Sequence, residues 1–184
     1  LHELDMRLSS GLVPSSRLDE KRRLMLTVSS IMEESIASSQ LEGASTTTKA
    51  AKKMLRENIA PKNKSERMIV NNYNAMKFIK EHSSDELSPD LIREIHSIIS
   101  HGTLDDDGYE GRFRDDNSIA VRDVFSGETY HDPPDFSRIP DLVQRMCDFA
   151  NDDSVFVHPI VKGIVLHFTL AYIHPFMDGN GRVS

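Results

Sequence analysis

Three features of the sequence predict an all-α domain carrying a single β-hairpin. Apolar residues recur at three- and four-residue steps over most of its length. Capping and breaking residues stand where helices should begin and end. Only one stretch, "RFRDDNSIAVRDVFSGETYHDPP" (112–134), interrupts that rhythm, with β-branched and aromatic residues around the turn pair Ser126-Gly127.

The elements follow in order. From Leu18 to about residue 42, Leu24, Val28, Ile31, Met32 and Ile36 mark a helix that Gly43 can close in a left-handed cap. "STTTKAAKKMLREN" offers threonine caps and a short helix that ends before Pro61. Met68, Ile69, Tyr73, Met76 and Ile79 mark a third helix. In "SPDLIREIHSIISHG", Ser88 caps, Pro89 sits in the first turn and Gly102 closes. After the hairpin, which Pro133 and Pro134 stop, Ile139, Leu142, Val143, Met146 and Phe149 mark another helix. A last one is expected from about Ser154 to Ile173, and because it is apolar on nearly every side it should be central and buried. No internal repeat or low-complexity linker is visible, and residues 1–60 and 61–184 are read as an N-terminal helical region and a core.

Composition narrows the function. The 184 residues are 38% hydrophobic and 28% charged, which is globular material. No apolar run approaches the roughly 20 residues that cross a bilayer, so no membrane partner is expected. The N-terminus lacks a secretory pattern, and Cys147 is the single cysteine, so a reducing, cytoplasmic setting is the simplest reading. Cys147 follows Met146 in an amphipathic run and is expected to pack. Residues 1–80 carry fourteen Lys or Arg against nine Asp or Glu (+5), whereas residues 81–184 carry eight against twenty (−12). That acidic part repels polyanions, so nucleic acid is not the expected partner.

The chemistry concentrates in "IHPFMDGNGRVS" (173–184). Pro175 disfavours helical geometry in the residue before it, so His174 emerges at the end of a rigid element, where an aimed base belongs. Gly179 and Gly181 permit backbone angles closed to other residues, and Asn180 tolerates left-handed geometry. A helix beginning near Arg182 would turn the loop's N–H groups into an anion cradle, and Arg182 would add a planar fork suited to phosphate. Asp178 supplies a hard oxygen of the kind a phosphate-bound Mg²⁺ recruits. Phe176 fits a packing anchor for the loop. Singly, each residue has an ordinary role as cap or turn former; the combination within nine residues points to a base, a metal ligand and a phosphate cradle.

"HPFMDGNGR" resembles the signature of the Fic family (Fic/DOC-type AMP transferases), HxFx(D/E)GNGRxxR, at His174, Phe176, Asp178, Gly179, Asn180, Gly181 and Arg182. "HPIVKGIVLHFTLAYIHPF", "GRFR" and "YHDPP" are similar to the segments around it. The resemblance implies a Fic-type helical bundle with one hairpin flap. It also implies a protein adenylyltransferase moving AMP from ATP, with Mg²⁺, onto a Ser, Thr or Tyr hydroxyl of a target protein. His174 would be the catalytic base, Asp178 the metal ligand, and Gly179, Asn180, Gly181 and Arg182 the ATP-phosphate site. Val124, Phe125, Ser126, Gly127 and Tyr130 would belong to the target-docking flap. The family motif continues with a second arginine three residues after Arg182, so the core is read as cut short at its C-terminal end. Self-modification and homo-oligomer formation are compatible with the resemblance.

A second pattern lies upstream. Glu42 sits at the C-terminal end of the first helix, where a carboxylate faces the negative dipole end at a cost of about 0.3–1 kcal/mol. An exposed Glu tolerates that cost; a functional Glu would have a cationic partner elsewhere. "SSQLEG" (38–43) resembles the family's inhibitory pattern [S/T]xxxE[G/N], in the class whose inhibitory helix precedes the core. Glu42 would then be an autoinhibitory plug shaped by Ser38 and Gly43. Two other classes remain: a metal-dependent hydrolase using His158, His167 and His174, whose spacing fits no compact helical pair, and a non-catalytic nucleotide-binding regulatory module.

Overall fold

The computed structural model describes residues 19–123 and 126–184. Its helices are α1 (Glu20–Leu41), α2 (Thr48–Arg56), α3 (Lys64–Glu81), α4 (Pro89–Ser100), α5 (Ile139–Asn151), α6 (Pro159–Ile173) and α7 (Asn180–Val183). Strands β1 (Val121–Arg122) and β2 (Thr129–His131) pair antiparallel between α4 and α5. No helix among the described residues is long and apolar enough to cross a membrane.

The local rules for helix ends hold. Asp19, Thr47, Asn63 and Ser88 each accept a first-turn N–H on a side-chain oxygen. Gly43 (φ +95°) and Gly102 (φ +60°) take the left-handed conformation after α1 and α4.

Three linked clusters make the core. Ile36, Ala44, Ala51, Met54, Met68 and Ile69 join α1, α2 and α3. Ala75, Ile95 and Ile99 join α3 to α4. Ile92, Ile139, Val143, Met146, Cys147, Leu170, Ile173 and Phe176 join α4, α5, α6 and the loop after α6. Polar groups fix α3 between its neighbours. The Asn72 amide donates to the Ser35 carbonyl at 3.3 Å, and the Asn71 amide donates to the Ile99 and His101 carbonyls that end α4. Cys147 is buried, and burial pushes its thiol up to about 11, which suits packing and not nucleophilic attack.

Two expectations need correction. α6 begins at Pro159, not Ser154, because proline at the first helical position is pre-organised and His158 caps it, its Nδ1 accepting the Ile160 N–H. Nor is α6 buried all round: Leu170 and Ile173 are, but Ile164 is 62% and Phe168 67% exposed. Uniform apolarity shows that a helix gains from cover on every side, but it does not supply that cover. α5 and the motif loop lie against one side only. The N-terminal half of α1 is uncovered in the same way, with Leu24 and Met25 exposed, and only Ser35, Ile36 and Ser39 on this helix are buried.

Candidate active site

α6 ends in a left-handed residue, His174 (φ +50°), a conformation that costs an L-residue on the order of 1–2 kcal/mol. The chain then turns back. Phe176 is fully buried, its ring stacked on His96 (3.7 Å between centroids, 2° between planes) and tilted against Phe113. Asn180 locks the turn in both directions. Its amide donates to the Phe176 carbonyl at 2.7 Å, and its oxygen accepts the Phe176 N–H at 2.9 Å. The Asn180 side chain is therefore committed to the loop itself, and what this residue offers an anion is its main-chain N–H.

Gly179 (φ +82°) caps the start of α7, the helix expected near Arg182, which begins at Asn180. The Arg182 and Val183 N–H groups both return to the Gly179 carbonyl, and the Gly179 N–H is held by the Asp178 carboxylate. The N–H groups of Asn180 and Gly181 have no carbonyl partner among the described residues, as at any helix start. The Asp178 carboxylate is largely exposed (63%), with the Arg182 guanidinium 3.8 Å away.

Arg182, read from the sequence as a planar fork suited to phosphate, is buried. Its guanidinium is almost fully covered and donates to the Ile99 carbonyl and Thr103 Oγ1 at the end of α4. Burial lowers its pKa, opposed by Asp178 and Glu42, and arginine stays cationic regardless. It thus acts from beneath the loop as a fixed positive charge.

Glu42 reaches this loop. A Cβ placed on Gly181 would meet the Glu42 carboxylate at 2.5 to 2.8 Å, so the carboxylate occupies the space directly over Gly181. Gly43 has open space where a Cβ would be, so only its φ of +95° requires glycine. Ser38 receives the Glu42 N–H on its carbonyl and lines, with Gly181 and Arg182, a hollow of about 320 Å³.

His174 is half-buried and lines a cavity of about 470 Å³ with Asn180, Gly181, Tyr172, Val121 and the flap residues Tyr130 and His131. Its Nδ1 lies 3.3 Å from the Ala171 carbonyl, which can only accept, so Nδ1 carries the hydrogen and Nε2 holds the lone pair. Burial is the main cause that lowers its pKa; His131 and Arg114 add to it, while the Ala171 carbonyl and Asp178 oppose. The imidazole is neutral at pH 7.

The flap hairpin spans the expected stretch. The Asp123 carboxylate accepts the Ser126 N–H and the Tyr130 hydroxyl, and Gly127 (φ +71°) makes the turn. Tyr130 is exposed beside His174, whereas Ser126 and Gly127 do not line the cavity. Val124 and Phe125 lie outside the described residues.

Three residues that sequence reasoning did not single out hold this arrangement. His131 donates from Nε2 to the Tyr172 carbonyl at 2.7 Å, docking the flap on α6. Arg114, 3% exposed, donates from Nε to the His174 carbonyl at 3.0 Å. His96 is fully buried, and its Nδ1 accepts the Gly111 N–H at 3.0 Å, so Nε2 must be the N–H that donates to the Asp178 carbonyl at 2.9 Å. Burial is the main cause that lowers its pKa and keeps it neutral. The available signal was its place on the inner face of α4, between Ile92, Ile95 and Ile99. Replacing His96 with Ala leaves the Gly111 N–H and the Asp178 carbonyl without partners. Stability is expected to fall by about 1–3 kcal/mol for each buried polar group so orphaned, read as a lower urea midpoint with an unchanged slope.

His158, His167 and His174 do not assemble a metal cage. His158 caps α6, His167 meets the Ser184 carbonyl through Nδ1, and no group of three or more His, Cys, Asp or Glu that could hold a metal occurs among the described residues. Asp178 is a single exposed carboxylate. That fits an ion carried mainly by substrate phosphates, the usual manner of Mg²⁺.

Comparison with known proteins agrees with this fold. The Fic/DOC family model matches residues 86–184. The chain is 31% identical over 106 residues to protein adenylyltransferase fic-1 of Caenorhabditis elegans, covering 57% of this chain and 18% of the relative. It is 42% identical over 55 residues to protein adenylyltransferase Fic of Drosophila willistoni, covering 29% and 11%. The chain thus spans under a fifth of the curated relatives it matches. In fold it is similar to a Fic domain-containing signalling protein from Bacteroides thetaiotaomicron (TM-score 0.78, 23% identity, 91% of this chain and 63% of that one). It is also similar to C. elegans Fic-1 residues 134–508 (TM-score 0.67, 22% identity, 91% and 48%). With the matched motif, the helical bundle and the hairpin beside it, this chain belongs to the Fic/DOC family.

Proposed function

We propose that the chain contains the catalytic core of a protein adenylyltransferase, moving AMP from ATP onto a Ser, Thr or Tyr hydroxyl of a target protein. The observation that carries this reading is the shared cavity, lined by His174, by Asn180 and Gly181 at the start of α7, and by the hairpin residues Val121, Tyr130 and His131. The target oxygen attacks the α-phosphorus, its proton passes to His174 Nε2, the bond from the α-phosphorus to the bridging oxygen breaks, and pyrophosphate leaves. The Asn180 and Gly181 N–H groups and the buried Arg182 charge offset the negative charge of the phosphates. Mg²⁺ would be held by Asp178 together with those phosphates, and when bound it neutralises phosphate charge. The strand edge of the flap suits an extended target segment, for which main-chain pairing demands little sequence. The names of the curated relatives support the same activity.

Glu42 is proposed as an autoinhibitory plug carried by the N-terminal region, residues 1–60. Its carboxylate is a resident anion at the place a phosphate would need, over Gly181 and within the field of Arg182.

His174 must be neutral to accept a proton, so activity is lost as pH falls through its pKa. Because burial lowers that pKa from its ordinary 6.5 in the free protein, the acid limb of the kcat/KM profile is expected below pH 6.5, with a plateau at neutrality. A limb centred at or above 6.5 would count against this environment for the base. The activity itself is tested by following radiolabelled AMP onto protein; label carried by Glu42→Gly and lost on adding His174→Ala supports it.

A further inference from the structure

We infer that Arg114 is a positioning residue that fixes the catalytic histidine and both feet of the flap as one unit. Arg114 precedes the hairpin by several residues and is 3% exposed, yet none of its hydrogen bonds goes to a carboxylate. Its guanidinium instead donates in three directions. Nε reaches the His174 carbonyl at 3.0 Å, and the Arg114 main-chain N–H reaches the next carbonyl, Pro175, at 2.8 Å. Nη1 reaches the Asp116 carbonyl at 2.7 Å and Asn117 Oδ1 at 3.0 Å, on the irregular segment leading into β1. Nη2 donates to the Pro134 carbonyl, just after β2. Asn117 extends the clamp across the base of the hairpin, its oxygen accepting the Phe136 N–H and its amide donating to Asp135.

This arrangement explains a feature that caps and turns leave open. His174 and Asn58 are the two non-glycine residues with positive φ among the described residues. Such a conformation persists at a reacting group only where its surroundings over-determine it. Here the two consecutive carbonyls of the turn, His174 and Pro175, are both held by Arg114. Because a planar fork has fixed donor directions, moving the flap's feet turns the guanidinium and so shifts the His174 backbone. A target strand pairing with the flap would therefore be registered against the base through one side chain.

The kinetic part of this inference rests on the transfer activity proposed above; the structural part does not. In the full chain, Arg114→Lys keeps the charge but loses the fork. Amide exchange is expected to accelerate together in the flap feet (116–122 and 129–136) and in 171–177, with α4 and α5 unchanged. In the Glu42→Gly background, kcat should fall about 100-fold, the scale of an ångström's misplacement, with ATP affinity unchanged. Exchange that rises in only one of those segments, or everywhere, overturns the inference, as does unchanged kcat or an equal loss of ATP affinity. If Glu42→Gly itself transfers nothing, the activity reading fails while the exchange result still decides the clamp. Should Arg114→Lys not fold, Asn117→Ala removes one arm alone. It is expected to loosen both flap feet and lower kcat by less, and a flap that stays protected overturns the clamp.

Discussion

Replacing Glu42 with Gly is expected to raise AMP transfer by about 5- to 150-fold, the range that corresponds to a coupling of 1–3 kcal/mol between a regulatory contact and a site. Two acids cannot share the start of α7. The Glu42 carboxylate and a nucleotide phosphate both seek the N–H groups there and the charge of the buried Arg182, and the carboxylate already stands over Gly181. Removing it frees the site without disturbing the core, because Glu42 is exposed and contributes only its main chain to the end of α1, bonding to Ser38. The binding constant for ATP and the rate of transfer should both improve, and calorimetric titration alongside labelling separates them. Unchanged binding and unchanged transfer would remove Glu42 from the mechanism.

The second large effect is at His174. His174→Ala should lower transfer by about 10²–10⁴-fold, the usual contribution of a positioned base. The fold should survive. The imidazole makes one long hydrogen bond, to Ala171 at 3.3 Å, and the features that hold the loop belong to other residues: Phe176 in the core, the Asn180 side chain, and the bonds from Arg114. Alanine tolerates the left-handed conformation less well than histidine, so a modest loss of stability accompanies the change. Circular dichroism and a nucleotide titration, both near wild type, would show that the loss is chemical. Transfer at the wild-type rate would mean that another group takes the proton.

The helix grammar was legible because caps act locally. Ser88, Pro89 and Gly102 bound α4 by their own backbone and side-chain chemistry, whatever packs against it. The motif was legible because a glycine pair around asparagine, five residues after a histidine, is hard to explain by turn formation alone. What escaped was whatever depends on a partner distant in sequence. His96 sits on an apolar helix face, and nothing nearby shows that its two nitrogens join Gly111 to Asp178. Arg114 looked like part of a motif-flanking segment, and its acceptors lie in three separate stretches of chain. Arg182 was read as a fork for phosphate, and nothing near it in the sequence shows that the end of α4 offers it a carbonyl and a hydroxyl that make burial tolerable. The reading of α6 erred because apolar periodicity records what a helix gains from cover and not which neighbours provide it.

The most direct test uses two samples of ATP, one labelled at the α-phosphorus and one at the γ-phosphorus, each incubated with Glu42→Gly and with Glu42→Gly/His174→Ala. The cavity geometry predicts that α-label joins protein in the first variant and not in the second, with γ-label leaving as pyrophosphate. Label arriving on protein from the γ-position, or α-label undiminished without His174, would contradict it.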